Sequence, residues 1–162
     1  IRPANIYGPH ANFNPKNSMV VASIIRRVLN KENPLKVWGD GKTIRDFIYS
    51  DDVADAIIKV INKNIQEPVN VGSGKGVTIK KLVHEIVNCK NIKSKPNIVF
   101  ETSKKSGGKV GDRKRVLNTN LAKKYKINNK TSLSKGLFET IDWYLKNIDW
   151  CKKINHKISS FS

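Results

Sequence analysis

The chain has 162 residues, of which 31 are Lys or Arg and 13 are Asp or Glu, and its formal net charge is +18. A hydrophobic content of 38% at this length is enough for one domain with a core. No apolar run is long enough to span a membrane and no signal-peptide pattern opens the sequence, so we expect a soluble, cytoplasmic protein. Cys89 and Cys151 lie far apart and the three histidines are scattered, which argues against a zinc site and against a disulfide framework.

The positive charge raises the possibility of nucleic-acid binding, because a basic surface gains affinity for phosphates by releasing counterions. The 25 lysines and six arginines are spread along the whole chain. The densest basic stretch, residues 90–114, lacks the interleaved aromatic residues of a base-stacking surface. This distribution argues against nucleic-acid binding as the main function, although the charge would attract smaller anions.

The first third of the chain begins with a strand and a helix. Residues 1–6 resemble the end of a strand already under way, and the first residue is Ile instead of Met, so the start looks cut. Apolar residues at helical spacing predict a helix from Met19 to Leu29. Ser18 is its expected N-cap, and Arg26 and Arg27 lie near its C-terminal end.

A glycine-containing turn follows, between apolar runs at residues 35–38 and 47–49. Two glycines in such a turn predict positive φ angles and a hairpin of two strands. This hairpin would hold Trp38 near Arg45. The planar guanidinium of Arg45 can bind a diphosphate through two hydrogen bonds, whereas the ordinary alternative is a surface ion pair with Asp46.

The middle of the chain continues with a helix, a strand and a second helix. Residues 53–61 carry apolar side chains at helical spacing, and we interpret Asp51 and Asp52 as its caps, not as catalytic carboxylates. Residues 68–72 form a short buried strand that leads into a cluster of glycines. The spacing of these glycines matches neither the Walker phosphate loop nor the Gly-x-Gly-x-x-Gly motif. A turn between a strand and a helix capped by Thr78 explains the cluster.

The last third predicts a strand at residues 97–101, a polar glycine loop at residues 102–112 and an extended run at residues 115–117. Thr119 is the expected cap of a helix that reaches Tyr125. The overall class is α/β with short strands. A final amphipathic helix carries apolar residues at helical spacing, namely Leu133, Leu137, Phe138, Ile141 and Leu145.

Four motifs occur together in an order that resembles the C-terminal half of the extended short-chain dehydrogenases, the NAD-dependent epimerase/dehydratase family. These enzymes act on nucleotide sugars. The resemblance covers residues 1–147, and within the family the segment from Gly8 to Ser18 is most similar to the GDP-L-fucose synthases. The four motifs are Arg2 to Pro9, Trp38 to Asp52, Asn70 to Gly74 and Arg115 to Asn118.

The resemblance implies that this chain is the substrate-binding C-terminal portion of a Rossmann-type enzyme. Residues 1–9 would be the end of a Rossmann strand and its loop, and residues 148–162 would be a basic tail that is loosely ordered. The N-terminal dinucleotide-binding half, which in this family supplies the catalytic Ser/Thr and Tyr-x-x-x-Lys, is absent from the sequence. We therefore assign no catalytic residue to this chain, and we expect the parent enzyme to be a homodimer.

The resemblance also assigns binding residues, one group to the cofactor and one to the sugar nucleotide. The cofactor is NAD or NADP, and the substrate is a GDP- or UDP-sugar. For Asn5 the structural alternative is a strand-end turn residue, and for Arg27 it is a solvated cation at a helix end. The nicotinamide end of the cofactor site would be lined by Pro3, Ala4, Asn5 and Ile6. The sugar nucleotide would be held by Arg27, Trp38, Arg45, Arg115 and Asn118.

Two departures from the GDP-L-fucose synthases limit the reaction. Met19 stands where those enzymes carry a histidine that donates a proton during epimerisation, and a thioether cannot transfer a proton. Asn118 replaces an acidic substrate contact. His10 is not at the matching position and is not assigned that role.

The two departures favour a 4-epimerase, a 4,6-dehydratase or a 4-reductase over a 3,5-epimerase. We therefore expect part of an NAD(P)-dependent nucleotide-sugar enzyme, without turnover by this chain alone. The alternatives are a catalytically silent nucleotide-sugar-binding module and, less favoured, a basic nucleic-acid binder.

Overall fold

The computed structural model describes residues 1–102 and 112–159, with the side chains of residues 154–159 excepted. The strands in this part are β1 (Arg2–Pro3), β2 (Asn5–Tyr7), β3 (Leu35–Trp38), β4 (Ile44–Tyr49), β5 (Asn70–Val71), β6 (Gly76–Thr78), β7 (Ile98–Glu101) and β8 (Lys114–Arg115). The helices are α1 (Val20–Leu29), α2 (Ser50–Asn62), α3 (Ile79–Val87), α4 (Asn120–Lys124), α5 (Leu133–Lys146) and α6 (Ile148–Ser159).

Short, mostly parallel strand pairs connect these elements, which confirms the α/β class. β1 pairs with β5, β2 with β4, β3 with β7 and β4 with β8, all in parallel, whereas β4 and β6 are antiparallel. β1 and β2 form one extended stretch that is interrupted only at Ala4. This stretch therefore pairs with β5 through its first part and with β4 through its second part.

The interior consists of two clusters of buried apolar side chains. The larger one lies between α1, α3 and α5, where Ile25, Ile86 and Ile141 are completely buried. The smaller one lies under α2 and includes Val53 from that helix and Val69 from the segment before β5. Each helix turns one apolar stripe toward its cluster, as its residue spacing predicts.

The helices lie close to where the sequence predicts them, but two of the predicted caps are wrong. The N-cap position of α1 is Met19, not Ser18, and α2 starts one residue after Tyr49 with no capping side chain. Asp51 and Asp52 lie in the first turn of α2. The buried Asp52 carboxylate instead accepts hydrogen bonds from the N–H groups of residues 130 and 131, at 3.0 and 3.1 Å, and so holds the segment that leads into α5.

Two other predicted caps lie at their expected positions. The Thr78 hydroxyl accepts a hydrogen bond from the N–H of Lys81 at 3.1 Å and caps α3, as predicted. Thr119 occupies the N-cap position of α4 without a capping hydrogen bond from its side chain. β6 lies between the glycine cluster and α3, so the predicted direct turn from strand to helix is wrong in this detail.

The predicted hairpin between residues 35–38 and 47–49 is also wrong. Both strands form, and the two glycines between them have φ angles of 87° and 71°, but the strands do not pair with each other. β3 pairs with β7 and β4 pairs with β2. The proximity of Trp38 and Arg45 does not follow from a shared hairpin.

The remaining predictions are met in part. β7 and α5 lie where they are predicted. Of the extended run predicted at residues 115–117, only Arg115 lies in a strand, β8. Most of the predicted loop at residues 102–112 lies outside the described residues. The predicted loosely ordered tail is wrong up to Ser159, because α6 continues to that residue.

In the described part of the chain, no helix is long and apolar enough to cross a membrane, and no three His, Cys, Asp or Glu side chains are grouped to hold a metal ion.

Candidate nucleotide-sugar site

Two arginines lie next to each other on adjacent strands. Arg45 of β4 and Arg115 of β8 are partners in the parallel register, so their side chains leave the sheet on the same face. One guanidinium nitrogen of Arg45 donates to the carbonyls of Ile44 and Asp112, at 2.8 and 2.9 Å, and Arg115 donates to the Asp112 carboxylate at 2.9 Å. This arginine pair, Arg45 with Arg115, therefore brings two guanidiniums together, both in contact with Asp112.

The arginine pair is partly open to solvent. The Arg115 side chain is 67% exposed and Arg45 is half-buried. The Arg115 guanidinium holds the pKa of the Asp112 carboxyl below its ordinary value, chiefly by hydrogen bonding and then by charge. Because exposed ion pairs of this kind contribute little to stability, a diphosphate can replace the carboxylate at small cost.

The other two residues predicted to bind the nucleotide differ in accessibility. Trp38 ends β3 and is 69% exposed, so its indole is free to stack on a planar ligand. Arg27 is held within the protein: its guanidinium pairs with both carboxylate oxygens of Glu32 and donates to the carbonyl of Lys36. This hydrogen bonding raises the pKa of Arg27 and lowers that of Glu32. Arg27 thus fastens the end of α1 to β3.

A buried carboxylate lies directly behind Arg45. Asp46 is 1% exposed and accepts hydrogen bonds from the N–H and hydroxyl of Ser73, at 2.9 and 2.5 Å, and from the N–H of Gly74 at 3.1 Å. The N–H of Leu117 approaches it at 3.4 Å. Asp46 therefore joins β4, the glycine cluster and the segment after β8, and it is not the surface partner of Arg45 that the sequence suggested.

The contacts of Asp46 also explain the glycine cluster. Within the cluster, the N–H groups of Ser73 and Gly74 donate to the Asp46 carboxylate and that of Lys75 donates to the Ser73 hydroxyl, so these three are already engaged. A Cβ added to Gly72 would lie 2.6 Å from an Asp46 carboxylate oxygen, so a larger residue would displace this contact. The cluster serves as a structural turn, in agreement with the interpretation made from the sequence.

A cavity of about 260 Å³ opens where β2 ends. Ligands of α/β proteins bind at the carboxyl ends of parallel strands, and β2 and β4 form such a pair. Ile6 and Met19 both line this cavity, so two of the positions singled out in the sequence come together here. The remaining lining residues are Tyr7, Gly8, Pro9, His10, Ala11, Asn12, Val21, Ala22, Ser50 and Thr140.

The titratable side chains of the cavity differ in what they can do. Burial raises the pKa of the Tyr7 phenol far above its ordinary value, which removes it as an acid or base near neutral pH. His10 is exposed, and its ring lies 4.5 Å from that of Trp143, centroid to centroid. Met19 is 62% exposed and brings only a thioether. His10, which the sequence analysis left without a catalytic role, lines the cavity.

The residues predicted for the nicotinamide end lie along β1 and β2. Pro3 and Ile6 are exposed, and Ile6, 44% exposed, offers an apolar surface at the cavity. The Asn5 amide donates to the carbonyl of Asp46 at 2.8 Å, so this side chain fixes β2 against β4. A flat aromatic ring fits the apolar surface of Ile6, whereas the Asn5 amide is already engaged.

The side-chain carbonyl of Asn118 is engaged as well, because it accepts from the N–H of Asn120 at 2.9 Å. The backbone carbonyl of Asn118 accepts a hydrogen bond from the Asn70 side chain at 3.2 Å. Asn118 therefore lies just before the N-cap of α4 and connects the start of this helix to β5. Its predicted contact with substrate stays a prediction.

Known proteins resemble this chain over most of its length. Residues 1–72 match the model of the NAD dependent epimerase/dehydratase family. A probable GDP-L-fucose synthase 1 of Oryza sativa subsp. japonica is 35% identical over 156 residues, which are 93% of this chain and 46% of that protein. A GDP-L-fucose synthetase from Naegleria fowleri bound to NADP superposes with a TM-score of 0.76 at 26% identity and covers 91% of this chain and 46% of its own.

A second solved structure, the UDP-glucose 4-epimerase of Thermotoga maritima with UDP-glucose, gives a TM-score of 0.71 at 28% identity. It covers 91% of this chain and 45% of its own. The chain thus spans about half the length of the relatives it matches. The match of residues 1–72 to the family model, the similarity to GDP-L-fucose synthases and the shared fold agree with the ordered motifs, and the chain is similar to part of an enzyme of the NAD-dependent epimerase/dehydratase family.

Proposed function

We propose that this chain supplies the nucleotide-sugar clamp and part of the nicotinamide site of an NAD(P)-dependent enzyme that acts on a GDP- or UDP-sugar. The observation that carries the proposal is the arginine pair, in which Arg45 and Arg115 leave one face of the sheet side by side. Two neighbouring guanidiniums repel each other unless an anion lies between them. A diphosphate accepts hydrogen bonds from both forks at once, which a single carboxylate cannot match.

An exposed aromatic residue and the relatives of this chain favour a sugar nucleotide over a simple phosphate. Trp38 offers an exposed aromatic face for a base or sugar, and the family relatives include a synthetase bound to NADP and an epimerase solved with UDP-glucose. Trp38, Arg45 and Arg115 form the clamp in this proposal. Arg27 must release Glu32 before it can contact a diphosphate, so we place it beside the clamp, where it fixes α1 to β3.

The cofactor assignment rests on the strand that runs from β1 to β2. Pro3, Ala4 and Ile6 form its accessible surface, and Ile6 borders the cavity where the strand ends. A nicotinamide, when bound, accepts or supplies a hydride at a sugar carbon. In this proposal Ile6 supports one face of that ring, and Asn5 keeps the strand in place through Asp46.

The reaction type follows from Met19. A thioether in the cavity cannot give or take a proton, so the residue at this position does not support proton transfer at a sugar carbon. A 4-epimerase, a 4,6-dehydratase or a 4-reductase therefore suits the site better than a 3,5-epimerase.

Calorimetric titration of the chain with GDP-fucose, GDP-mannose and UDP-glucose tests the clamp. Arg45→Ala removes one guanidinium, and we expect about tenfold to one-hundredfold weaker binding, because a charged hydrogen bond contributes about 1.5–3 kcal/mol. Arg113→Ala is the matched control, because it removes the same charge from an exposed position in the segment that leads into β8. We expect this control to change affinity less than about threefold at physiological salt.

The same titrations separate the proposal from its alternatives. A non-specific basic surface would give two different results. Arg45→Ala and Arg113→Ala would then weaken nucleotide-sugar binding equally, and the chain would bind any DNA with an affinity that falls steeply with salt. Failure of every nucleotide sugar to bind would refute the clamp. If a nucleotide sugar does bind, a turnover assay of the parent enzyme distinguishes an active enzyme from a silent binding module.

A further inference from the structure

His10, at the cavity, occupies a backbone position that glycine would fill with less strain. The segment from Gly8 to Ala11 is a turn, which a hydrogen bond from the Ala11 N–H to the Gly8 carbonyl closes at 3.3 Å. Pro9 at its second position and a φ of 61° at His10, its third, are features of a type II turn. Glycine adopts a positive φ without steric cost, so the turn alone gives no reason for an imidazole at this position.

Two indoles fix the direction of the His10 side chain. Its ring centroid lies 4.5 Å from that of Trp143 and 6.3 Å from that of Trp150, and the two indoles are 5.9 Å apart. Trp143 is half-buried and packs against the larger core cluster, which anchors this group of rings. Ring packing uses neither imidazole nitrogen, because both form their hydrogen bonds in the plane of the ring. The imidazole is therefore held in place with its donor and its acceptor unused.

The other polar side chains that line the cavity are already hydrogen-bonded within the protein. Tyr7 and Thr140 donate to backbone carbonyls, at 3.4 and 2.6 Å, and Ser50 donates to a neighbouring carboxylate at 3.2 Å. Asn12 uses both its carbonyl and its amide inside its own loop, at 2.9 Å each. Of this lining, His10 is the polar side chain that makes no hydrogen bond to the described residues.

Most of the remaining lining is apolar, with Ile6 and Met19 among its side chains. A ligand that fills the cavity must therefore offer an apolar surface and, at His10, a polar group. An apolar ligand would cover the imidazole without pairing it, which costs free energy, whereas a hydroxyl replaces the lost water. A sugar ring meets both conditions, because its C–H groups form its faces and its hydroxyls lie at its edge.

The cavity and the arginine pair lie along one strand. The part of β4 from Arg45 to Tyr49 spans about 13 Å at the usual rise of a strand. Tyr49 is the register partner of Tyr7, which lines the cavity. A nucleotide sugar is an elongated ligand whose diphosphate lies between base and sugar. With the diphosphate at the arginine pair and the base at Trp38, the sugar is the end that is left to extend toward the cavity.

We propose that His10 is a specificity-determining residue of the nucleotide-sugar site, where its imidazole forms a hydrogen bond with a hydroxyl of the sugar ring. The proposal rests on the proposed function, because the sugar reaches the cavity only if the arginine pair holds the diphosphate. It adds a contact to the sugar that the clamp residues do not make. It assigns a binding role to His10 and no proton transfer.

Calorimetric titrations with and without the sugar test this role. GDP-fucose and GDP-mannose are each compared with GDP, and UDP-glucose with UDP, so the ratio of the two dissociation constants measures the contribution of the sugar. His10→Phe keeps a flat ring beside Trp143 and removes both nitrogens. His84→Phe is the matched control, because it makes the same change at an exposed position of α3.

We expect His10→Phe to lower the contribution of the sugar about threefold to tenfold, the effect of one lost hydrogen bond, and to change the affinity for GDP or UDP less than about twofold. His10→Gln keeps a donor and an acceptor, so it should retain more of the contribution than His10→Phe does. His84→Phe should change neither quantity. The proposal is overturned by an unchanged sugar contribution in His10→Phe, by a wild type that binds GDP and UDP as tightly as their sugars, and by equal losses for nucleotide and nucleotide sugar.

Nitrogen NMR of the histidine rings adds a readout on the unaltered chain. The ring signals that are missing from the spectrum of His10→Phe belong to His10. We expect these signals to move when the nucleotide sugar is added and to stay in place when GDP or UDP is added. Signals that stay in place with the nucleotide sugar would overturn the proposal, and so would signals that move only with NADP, which would place the cofactor at His10 instead.

Failure of this proposal differs from failure of the clamp. If no nucleotide or nucleotide sugar binds, both proposals are refuted. If binding depends on Arg45 but the sugar contribution does not depend on His10, the clamp stands and only the role of His10 is refuted.

Discussion

The buried carboxylate of Asp46 should be one of the most sensitive positions of the chain. Asp46→Ala leaves the N–H groups of Ser73 and Gly74 without an acceptor, whereas the Ser73 hydroxyl keeps the carbonyl of Lys75 as a partner at 3.2 Å. Gly74 is exposed and water can reach its N–H, so the half-buried amide of Ser73 carries most of the loss, about 1–3 kcal/mol. That loss is a substantial part of the whole stability of a small domain, about 5–15 kcal/mol.

Urea denaturation followed by circular dichroism measures this loss. Asp40→Ala is the control: Asp40 is exposed and its carboxylate also accepts from a loop N–H, that of Lys42 at 2.9 Å. We expect the control to cost about 1 kcal/mol or less, because water can replace its contact. Asp46→Asn keeps the volume and one acceptor oxygen, and should lie between Asp46→Ala and the wild type.

The reasoning about Asp46 is refuted if Asp46→Ala destabilises no more than Asp40→Ala does. It is refuted also if Asp46→Asn proves as damaging as Asp46→Ala, since the loss would then come from the negative charge and not from the orphaned amides.

Two further substitutions test packing and charge. Gly136→Ala should destabilise the chain although alanine favours helices, because the added Cβ would lie 2.4 Å from the hydroxyl oxygen of Tyr7; a rise in the urea midpoint would contradict this. Arg27 lowers the pKa of Glu32 below its ordinary 4.5, so this pair adds stability above that pH and loses it as the pH falls through the folded-state pKa. Glu32→Gln should therefore flatten the acid limb of the stability curve, with a modest effect because the carboxylate is 37% exposed.

Local patterns predicted the helices well because helix formation depends on neighbouring residues. Leu137 and Ile141 are buried as their spacing predicts, although Leu145 of the same predicted stripe is 41% exposed, and Thr78 caps α3 through its own hydroxyl. Strand pairing is different, since it is decided between residues far apart in sequence. The runs at residues 35–38 and 47–49 are strands, but no local signal shows that the first pairs with β7 and the second with β2.

The site was predictable where a motif supplied the residues and not where burial decided their role. Arg45 and Arg115 were singled out from the sequence, and the structure places them side by side. For Asp46 the sequence offered only the alternative of a surface pair with Arg45, and the fold instead buries it against the N–H groups of Ser73 and Gly74. Asp51 and Asp52 looked like caps because acids favour a first turn, and only the fold shows which of them is buried.

The stretch of residues 2–7 changes its partner strand at Ala4, so a single length of backbone belongs to two sheets. It pairs with β5 on one side of that point and with β4 on the other. Any rotation of one sheet relative to the other would have to break ladder hydrogen bonds, because no loop separates β1 from β2. The proposed cofactor surface at Pro3 and the cavity at Ile6 therefore move together as one rigid body, and an enzyme built on this strand must admit its substrate by moving other segments.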